Sequence, residues 1–282
     1  MNRATNGRYR LGVDIGGTFT DFVLMEQHTG RLLLGKTLTT SRDPSVAVVK
    51  GFERLMREHG LGAGQVDLII HGTTLATNAL IERKGARTGL ITTAGFRDVL
   101  EIARERRYDA YDVMIDFPDP LVPRSLRLEV DERVDKDGNV AQPLAVDQVA
   151  AAVERLRREG VAAVAVCFLH SFRNPAHEVA VKEMIAARAP EIFVSISSEV
   201  VPEIREYERT STTVVNAYVQ PIMERYLNKL AGDLAALGYR RPVLMMLSSG
   251  GIASAQVAGR FPVRVIESGP AAGAIAVTHY SR

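Results

Sequence analysis

Three strand-like segments follow one another before the first helix signal: RLGVDIGG (residues 10–17), TFTDFVLME (18–26) and RLLLGKTLTT (31–40). Gly16-Gly17 and His28-Thr29-Gly30 supply the turns between them. A chain that opens this way lays down an antiparallel meander, so a pure βαβ winding from the first strand is excluded. A punctuated helix follows. Asp43 is its expected N-cap, Pro44 its first residue and Gly60 its stop, with Val48, Val49, Phe52, Leu55 and Met56 on one stripe.

Strand and helix signals then alternate, which predicts an α/β class. DLIIHGTT (67–74) and TGLITTAG (88–95) read as strands, with helices expected over 75–83 and 96–104. Residues 106–123 read as an irregular surface excursion, and 126–135 with 140–144 as a hairpin around the turn 136–139. Helices are expected over 147–159 and 175–188, and strands over 161–169 and 192–200. A long helix from about 221 to 237, strands at 242–251 and 262–270, and a helix from 271 complete the pattern. At 282 residues two domains are the prior; the reading places a first domain over 1–199 and the start of a second over 200–282.

Composition removes several classes. With 46% hydrophobic and 24% charged residues the chain is neither disordered nor a coiled coil. Lys+Arg 35 against Asp+Glu 33 leaves a net charge of +2, and no basic block reads as a nucleic-acid footprint. The longest clean apolar run, Val161 to Leu169, is too short for a membrane span, and the N-terminus has no apolar signal core, so a cytoplasmic protein is expected. The single cysteine, Cys167, lies inside AAVAVCFL and reads as a buried strand residue. His28, His59, His177 and His279 show no metal-ligand spacing.

Two motif matches fail on physical grounds. Gly30 to Thr37 (GRLLLGKT) fits the Walker A pattern, yet Arg-Leu-Leu-Leu is strand composition and no helix follows to hold phosphate at its N-terminus. Asp135, Asp137 and Asn139 resemble the start of a calcium loop, but Val146 stands where the closing acid belongs.

DIGGTFTD, Asp14 to Asp21, is different. Glycines at 16 and 17 let the backbone approach a phosphate closely, and Thr18 and Thr20 supply hydroxyls that alternation puts on one face. Asp14, at the strand end, can hold a hydrated Mg²⁺ beside phosphates. Asp21 falls on the other face by parity and orients the turn or contacts substrate. The bland alternative is a plain Gly-Gly hairpin with a capping Asp.

This hairpin resembles the first phosphate motif of the actin-like ATPase superfamily, whose members fold as two related ribonuclease H-like lobes with the nucleotide between them. Longer blocks narrow the match. VDIGGTFTDFVL, HGTTLATNALIERKGARTGLITTAGFRDVLEIAR, FLHSFRNPAHE, EYERTSTTVVNAYVQPIMERYL, LSSGGI and ESGPAAGA occur in this order. Together they resemble the hydantoinase A / 5-oxoprolinase family, whose relatives include subunits of acetone-type carboxylases. The resemblance implies an actin-like lobe that uses ATP and Mg²⁺ to activate a cyclic amide such as hydantoin or 5-oxoproline, or a ketone. It also implies a B-type partner polypeptide.

Full-length relatives continue into a second Asp-x-Gly-Gly-Thr hairpin. The chain is therefore expected to be the first lobe with an incomplete, truncated second one, inactive without the missing lobe or a partner. If half the contacts of a ligand bound with about −8 kcal/mol are missing, affinity falls toward millimolar. Exposed apolar surface on the unfinished lobe predicts self-association or partner dependence.

Further candidates surround the hairpin. His71 ends a strand and is followed by Gly72-Thr73-Thr74, where ligands collect in open α/β sheets. His71, Thr73, Thr74 and Asn78 are phosphate or substrate contacts on one reading, and a helix cap with a satisfied histidine on the other. Glu267, Ser268 and Gly269 line the cleft or form a hinge, since Ser268 has no nucleophile elbow around it. His170, Ser171 and Asn174 read as structural. Arg104 to Tyr108 is a solvated helix end or a substrate- or partner-facing loop. The functional expectation is an ATP-dependent cyclic amidohydrolase part, with Asp14 and Asp21 catalytic and Gly16, Gly17, Thr18 and Thr20 on the phosphates. The rivals are a carboxylase subunit and a non-catalytic assembly module.

Overall fold

The structure is a computed structural model that describes residues 8–40, 43–104, 109, 111, 112 and 114–281. In chain order its elements are β1 (Tyr9–Ile15), β2 (Phe19–Glu26), β3 (Leu32–Leu38), α1 (Pro44–Glu58), β4 (Val66–Thr73), α2 (Leu75–Ile81), β5 (Thr88–Thr93), α3 (Val99–Ile102), β6 (Arg127–Val130), β7 (Arg133–Val134) and β8 (Val140–Gln142). They continue as α4 (Val146–Arg158), β9 (Ala163–Cys167), α5 (Ala176–Arg188), β10 (Phe193–Ile196), α6 (Ser197–Val200), α7 (Glu206–Ala236), β11 (Val243–Met246), β12 (Ile252–Ser254), α8 (Ala255–Arg260) and α9 (Ser268–Tyr280). The chain forms two compact units, Met1–Glu82 with Ile222–Arg282, and Arg83–Pro221.

The first unit holds a mixed sheet in the order β12-β11-β4-β1-β2-β3. β1, β2 and β3 form the expected antiparallel meander, β4 runs parallel to β1, and β11 runs parallel to β4. Period-2 alternation sorts the meander's faces. Leu11, Val13 and Ile15 of β1 and Phe22 and Leu24 of β2 are buried, whereas Asp14 and Asp21 are exposed. Helix α1 covers the inner face with Val48, Phe52, Leu55 and Met56. Asp43 caps it, accepting from Ser45 N–H at 3.1 Å and the Ser45 hydroxyl at 2.6 Å. Gly51 is required there, because a Cβ would stand 2.2 Å from the Phe22 ring.

The second unit is built on a parallel sheet, β10-β9-β5-β6. Every residue of β9 is buried, as a strand covered on both faces must be. β7 and β8 pair separately across the turn with Gly138 at φ +93°.

β11 pairs with β4, so the stretch from Ile222 joins the first sheet, and the compact units divide after Glu82 and again after Pro221. Several expected elements are corrected. Helix α7 starts at Glu206 and contains Pro221. A proline forfeits one backbone hydrogen bond, and burial of Val214, Ala217 and Tyr218 carries the helix across it. Residues 192–200 form β10 and then the short α6, and 262–265 form a 3₁₀ turn instead of a strand. The helix expected over 96–104 is confined to α3.

Candidate functional site

The β1–β2 turn is tied down from below. Gly16 N–H donates to Phe19 O, Thr39 N–H to Thr18 O and the Thr39 hydroxyl to Gly16 O, each at 2.9 Å. Neither Gly16 nor Gly17 has a positive φ. A Cβ at Gly17 would meet nothing within 4 Å. Backbone conformation therefore does not demand glycine at 17; its effect is a bare, solvent-facing backbone. Among the described residues the N–H groups of Gly17 and Thr18 have no protein acceptor. Unpaired N–H groups at such a turn suit an anion.

Asp14 and Asp21 are register partners across β1 and β2. Thus parity puts Asp21 on the face of Asp14 and away from Thr20. Both carboxylates border a cavity of about 460 Å³, together with Gly12, Gly72, Met246 and the α9 residues Ser268 and Gly269. Burial, and then the charge of Asp21, push the Asp14 carboxyl above its usual range. Asp21 accepts from Lys36 Nζ at 2.9 Å, and that ammonium lies 4.5 Å from the centre of the Phe19 ring.

The other hairpin candidates separate. Thr18 is exposed in the turn, but Thr20 is fully buried with its hydroxyl 3.0 Å from that of Thr39. The two therefore do not share a face, because Thr18 precedes the strand. His71 is wholly buried, its Nδ1 3.2 Å from Val13 O and its Nε2 2.6 Å from the Tyr226 hydroxyl. Desolvation lowers its pKa to about 4 against a small opposing effect of Val13 O, so the ring is neutral. Thr73 is buried and accepts from Leu75 N–H at 3.2 Å, which opens α2. The Thr74 hydroxyl donates to Ile15 O at 3.3 Å and accepts from Asn78 Nδ2 at 3.2 Å. These four residues brace the base of the hairpin.

Glu267 is exposed just before α9, and its N–H donates to Ser248 Oγ at 3.2 Å. Ser268 is 1% exposed and lines the cavity, and its buried hydroxyl has no hydrogen-bond partner. In the second unit, His170 Nδ1 lies 2.8 Å from Val134 O and Cys167 is a buried thiol with a raised pKa. Arg104 pairs with Glu208 at 2.6 Å; residues 105–108 of the charged run lie outside the described residues.

Reading the sequence missed Gly72 and Lys36. Both flank the acidic pair through strand register, Gly72 opposite Asp14 and Lys36 opposite Asp21. Their signal was the glycine inside HGTT and the lone cation of LLLGKTL.

The residues fit the nucleotide and cation expected of the hairpin. An unpartnered buried hydroxyl and two acceptor-free N–H groups offer donors, and two carboxylates offer oxygen ligands. No group of three or more His, Cys, Asp or Glu placed to hold a metal exists among the described residues. An acidic pair alone suits Mg²⁺, which keeps several waters and shares phosphate ligands. Among the described residues no helix is long and apolar enough to cross a membrane.

Comparisons with known proteins place the chain in a family. Residues 10–189 match the family described as hydantoinase/oxoprolinase N-terminal region, and residues 209–282 the family described as hydantoinase/oxoprolinase. Caprolactamase subunit alpha of Pseudomonas jessenii is 41% identical over 94% of this chain and 39% of its own length. The crystal structure of ATP-dependent caprolactamase from that organism superposes with a TM-score of 0.82 at 40% identity, covering 93% of this chain and 39% of the other. Nucleotide-free acetone carboxylase superposes with a TM-score of 0.85 at 27% identity, covering 96% and 40%. 5-Oxoprolinase 1 of Arabidopsis thaliana is 31% identical over 98% of this chain and 24% of its own length. The chain thus spans about two fifths or less of the relatives it matches.

Proposed function

Because the chain belongs to the hydantoinase/oxoprolinase family, we propose that it is the nucleotide-binding N-terminal part of an ATP-dependent hydrolase of cyclic amides. Within it the first unit acts as an actin-like, ribonuclease H-like lobe. Its antiparallel meander, flanked by strands running parallel to β1, supports that assignment. The observation that carries the reading is a turn with acceptor-free N–H groups at Gly17 and Thr18, joining two strands whose opposed carboxylates, Asp14 and Asp21, border a cavity.

In this reading Gly17 and Thr18 present backbone donors to the phosphates, Gly16 shapes the turn with its own N–H bonded to Phe19 O, and Thr20 holds the turn from inside through Thr39. Asp14 holds a hydrated Mg²⁺. Asp21 shares that cation or the substrate's side of the cavity. When bound, Mg-ATP supplies phosphoryl transfer to an amide oxygen, which makes a poor electrophile open to water. The chain contributes positioning and electrostatic complementarity to the phosphates. Ser268 and Gly269 border the cavity where α9 begins, and Glu267 precedes them at the start of that helix. Partners of the assembly are the remaining polypeptide or a B-type subunit.

Asp14→Ala in the complete assembly is expected to abolish substrate-dependent ATP turnover while the melting temperature stays within about 2 °C. Unchanged turnover removes Asp14 from the mechanism. The likeness to acetone carboxylase favours a second reading as a carboxylase subunit. ATP consumption that needs bicarbonate and a ketone selects it; consumption driven by a cyclic amide selects the first.

A further inference from the structure

The acidic pair sits in a rung that crosses four strands in register, Gly72 on β4, Asp14 on β1, Asp21 on β2 and Lys36 on β3. Like charges directly opposite each other in an antiparallel pair are destabilising. The ends of the rung hold the two carboxylates in a defined arrangement. At one end Lys36 Nζ draws Asp21 Oδ1 to 2.9 Å. At the other, Asp14 Oδ1 lies 2.8 Å from where a Gly72 Cβ would be. No non-bonded pair of carbon and oxygen atoms stays that close, so the Asp14 carboxylate occupies space that exists because residue 72 has no side chain. Asp14 leans toward β4 and Asp21 is pulled toward β3, away from it. The φ of Gly72 is not positive, so the backbone there does not itself require glycine.

We propose that Gly72 and Lys36 are positioning residues for the Asp14–Asp21 pair, Gly72 by leaving room for the Asp14 carboxylate over β4 and Lys36 by holding Asp21 toward β3. The claim rests on the reading of Asp14 as a cation-holding residue only for its functional consequence; the geometric part stands without it. The Gly72 side of the claim is the sharper one. The nearest atom to an added Cβ is the far end of the Asp14 side chain, and the next are Asp14 Cγ at 3.8 Å and Val13 O at 4.0 Å. A methyl at 72 is therefore accommodated by displacing one carboxylate, with the sheet intact.

The test uses this chain and the variants Gly72→Ala, Lys36→Met, Asp14→Ala and Gly72→Ala/Asp14→Ala. Two readouts are taken at fixed pH: the carboxyl ¹³C resonances of Asp14 and Asp21, and broadening of the Gly16 and Gly17 amide signals by Mn²⁺-ATP, which reports even millimolar binding. Gly72→Ala should move the Asp14 resonance, keep the melting temperature and weaken Mn²⁺-ATP about tenfold. Lys36→Met should move the Asp21 resonance and weaken binding about threefold. Gly72→Ala should add nothing in the Asp14→Ala background. An unmoved Asp14 resonance in Gly72→Ala, or an additional loss in the double variant, overturns the proposal. If wild-type amides show no broadening, the nucleotide reading fails, while the carboxyl resonances still decide the positions of the two side chains.

Discussion

In the unit Arg83–Pro221 the buried carboxylate of Glu178 accepts from Phe168 N–H at 2.9 Å, the Ser197 hydroxyl at 2.6 Å and Ser198 N–H at 2.8 Å. Glu132 there accepts from the Thr93 hydroxyl and lies 2.8 Å from His177 Nδ1. In the other unit Asp14 and Asp21 are set against each other, and Lys36 answers one of them. The Glu178 and Glu132 bonds gather at the carboxyl ends of β5, β9 and β10, and Asp14 lies near the carboxyl end of β1 with Asp21 opposite it near the start of β2. The second unit has filled its carboxylates' bonds with its own donors, which is architecture. The first has left Asp14 without a donor among the described residues and bordering a cavity, the arrangement on which the proposed site rests.

Glu178→Ala is the harshest test of that contrast. It strands two buried donors and one part-buried donor; at about 1–3 kcal/mol for each buried one and less for the third, unfolding free energy should drop by roughly 3–6 kcal/mol in urea titration. Equal destabilisation by Asp14→Ala would erase the distinction. Acid comes next. His71 has its pKa lowered to about 4, against 6.5 for the free side chain. The unfolded chain then binds the proton first, so the stabilisation is whole above pH 6.5 and is lost as pH falls toward 4. The span amounts to at most about 3 kcal/mol by linkage. His71→Phe should flatten that part of the pH profile, and an unchanged slope would move the acid sensitivity elsewhere. The smallest effect is expected from Asp21→Asn, which relieves one repulsion and forfeits one exposed ion pair. Stability should stay within about 0.5 kcal/mol. A loss of several kcal/mol would make Asp21 architectural like Glu178.

The meander, the capped helix α1 and the buried strand β9 were legible because each is a local pattern: alternation, a cap followed by a stripe, an unbroken apolar run. Helix α7 was cut short because Pro221 reads as a start when helix packing can absorb it. The turn at 262–265 has strand composition, and only its surroundings decide against pairing. Around the site, DIGGTFTD announced itself, but the facing of Asp14 and Asp21 depends on the β1–β2 register, and the part of Gly72 depends on a neighbour 58 residues away in sequence whose carboxylate fills its place. His71 looked like a ligand contact at a strand end. Its alternation partner in β1 is the buried Val13, which turns the ring inward.

The first sheet is closed by a strand that arrives late. β4 gains its outer parallel neighbour β11 only after residues 83–221 have been made. At about 5–20 residues per second, a nascent chain waits some ten to thirty seconds between the two. Throughout that interval the flank of β4 is bare, while the intervening segment, contiguous in sequence, already holds all the strands of its own sheet. Synthesis should therefore yield a finished inner module before its host, and the unpaired flank is where a holdase chaperone would be needed.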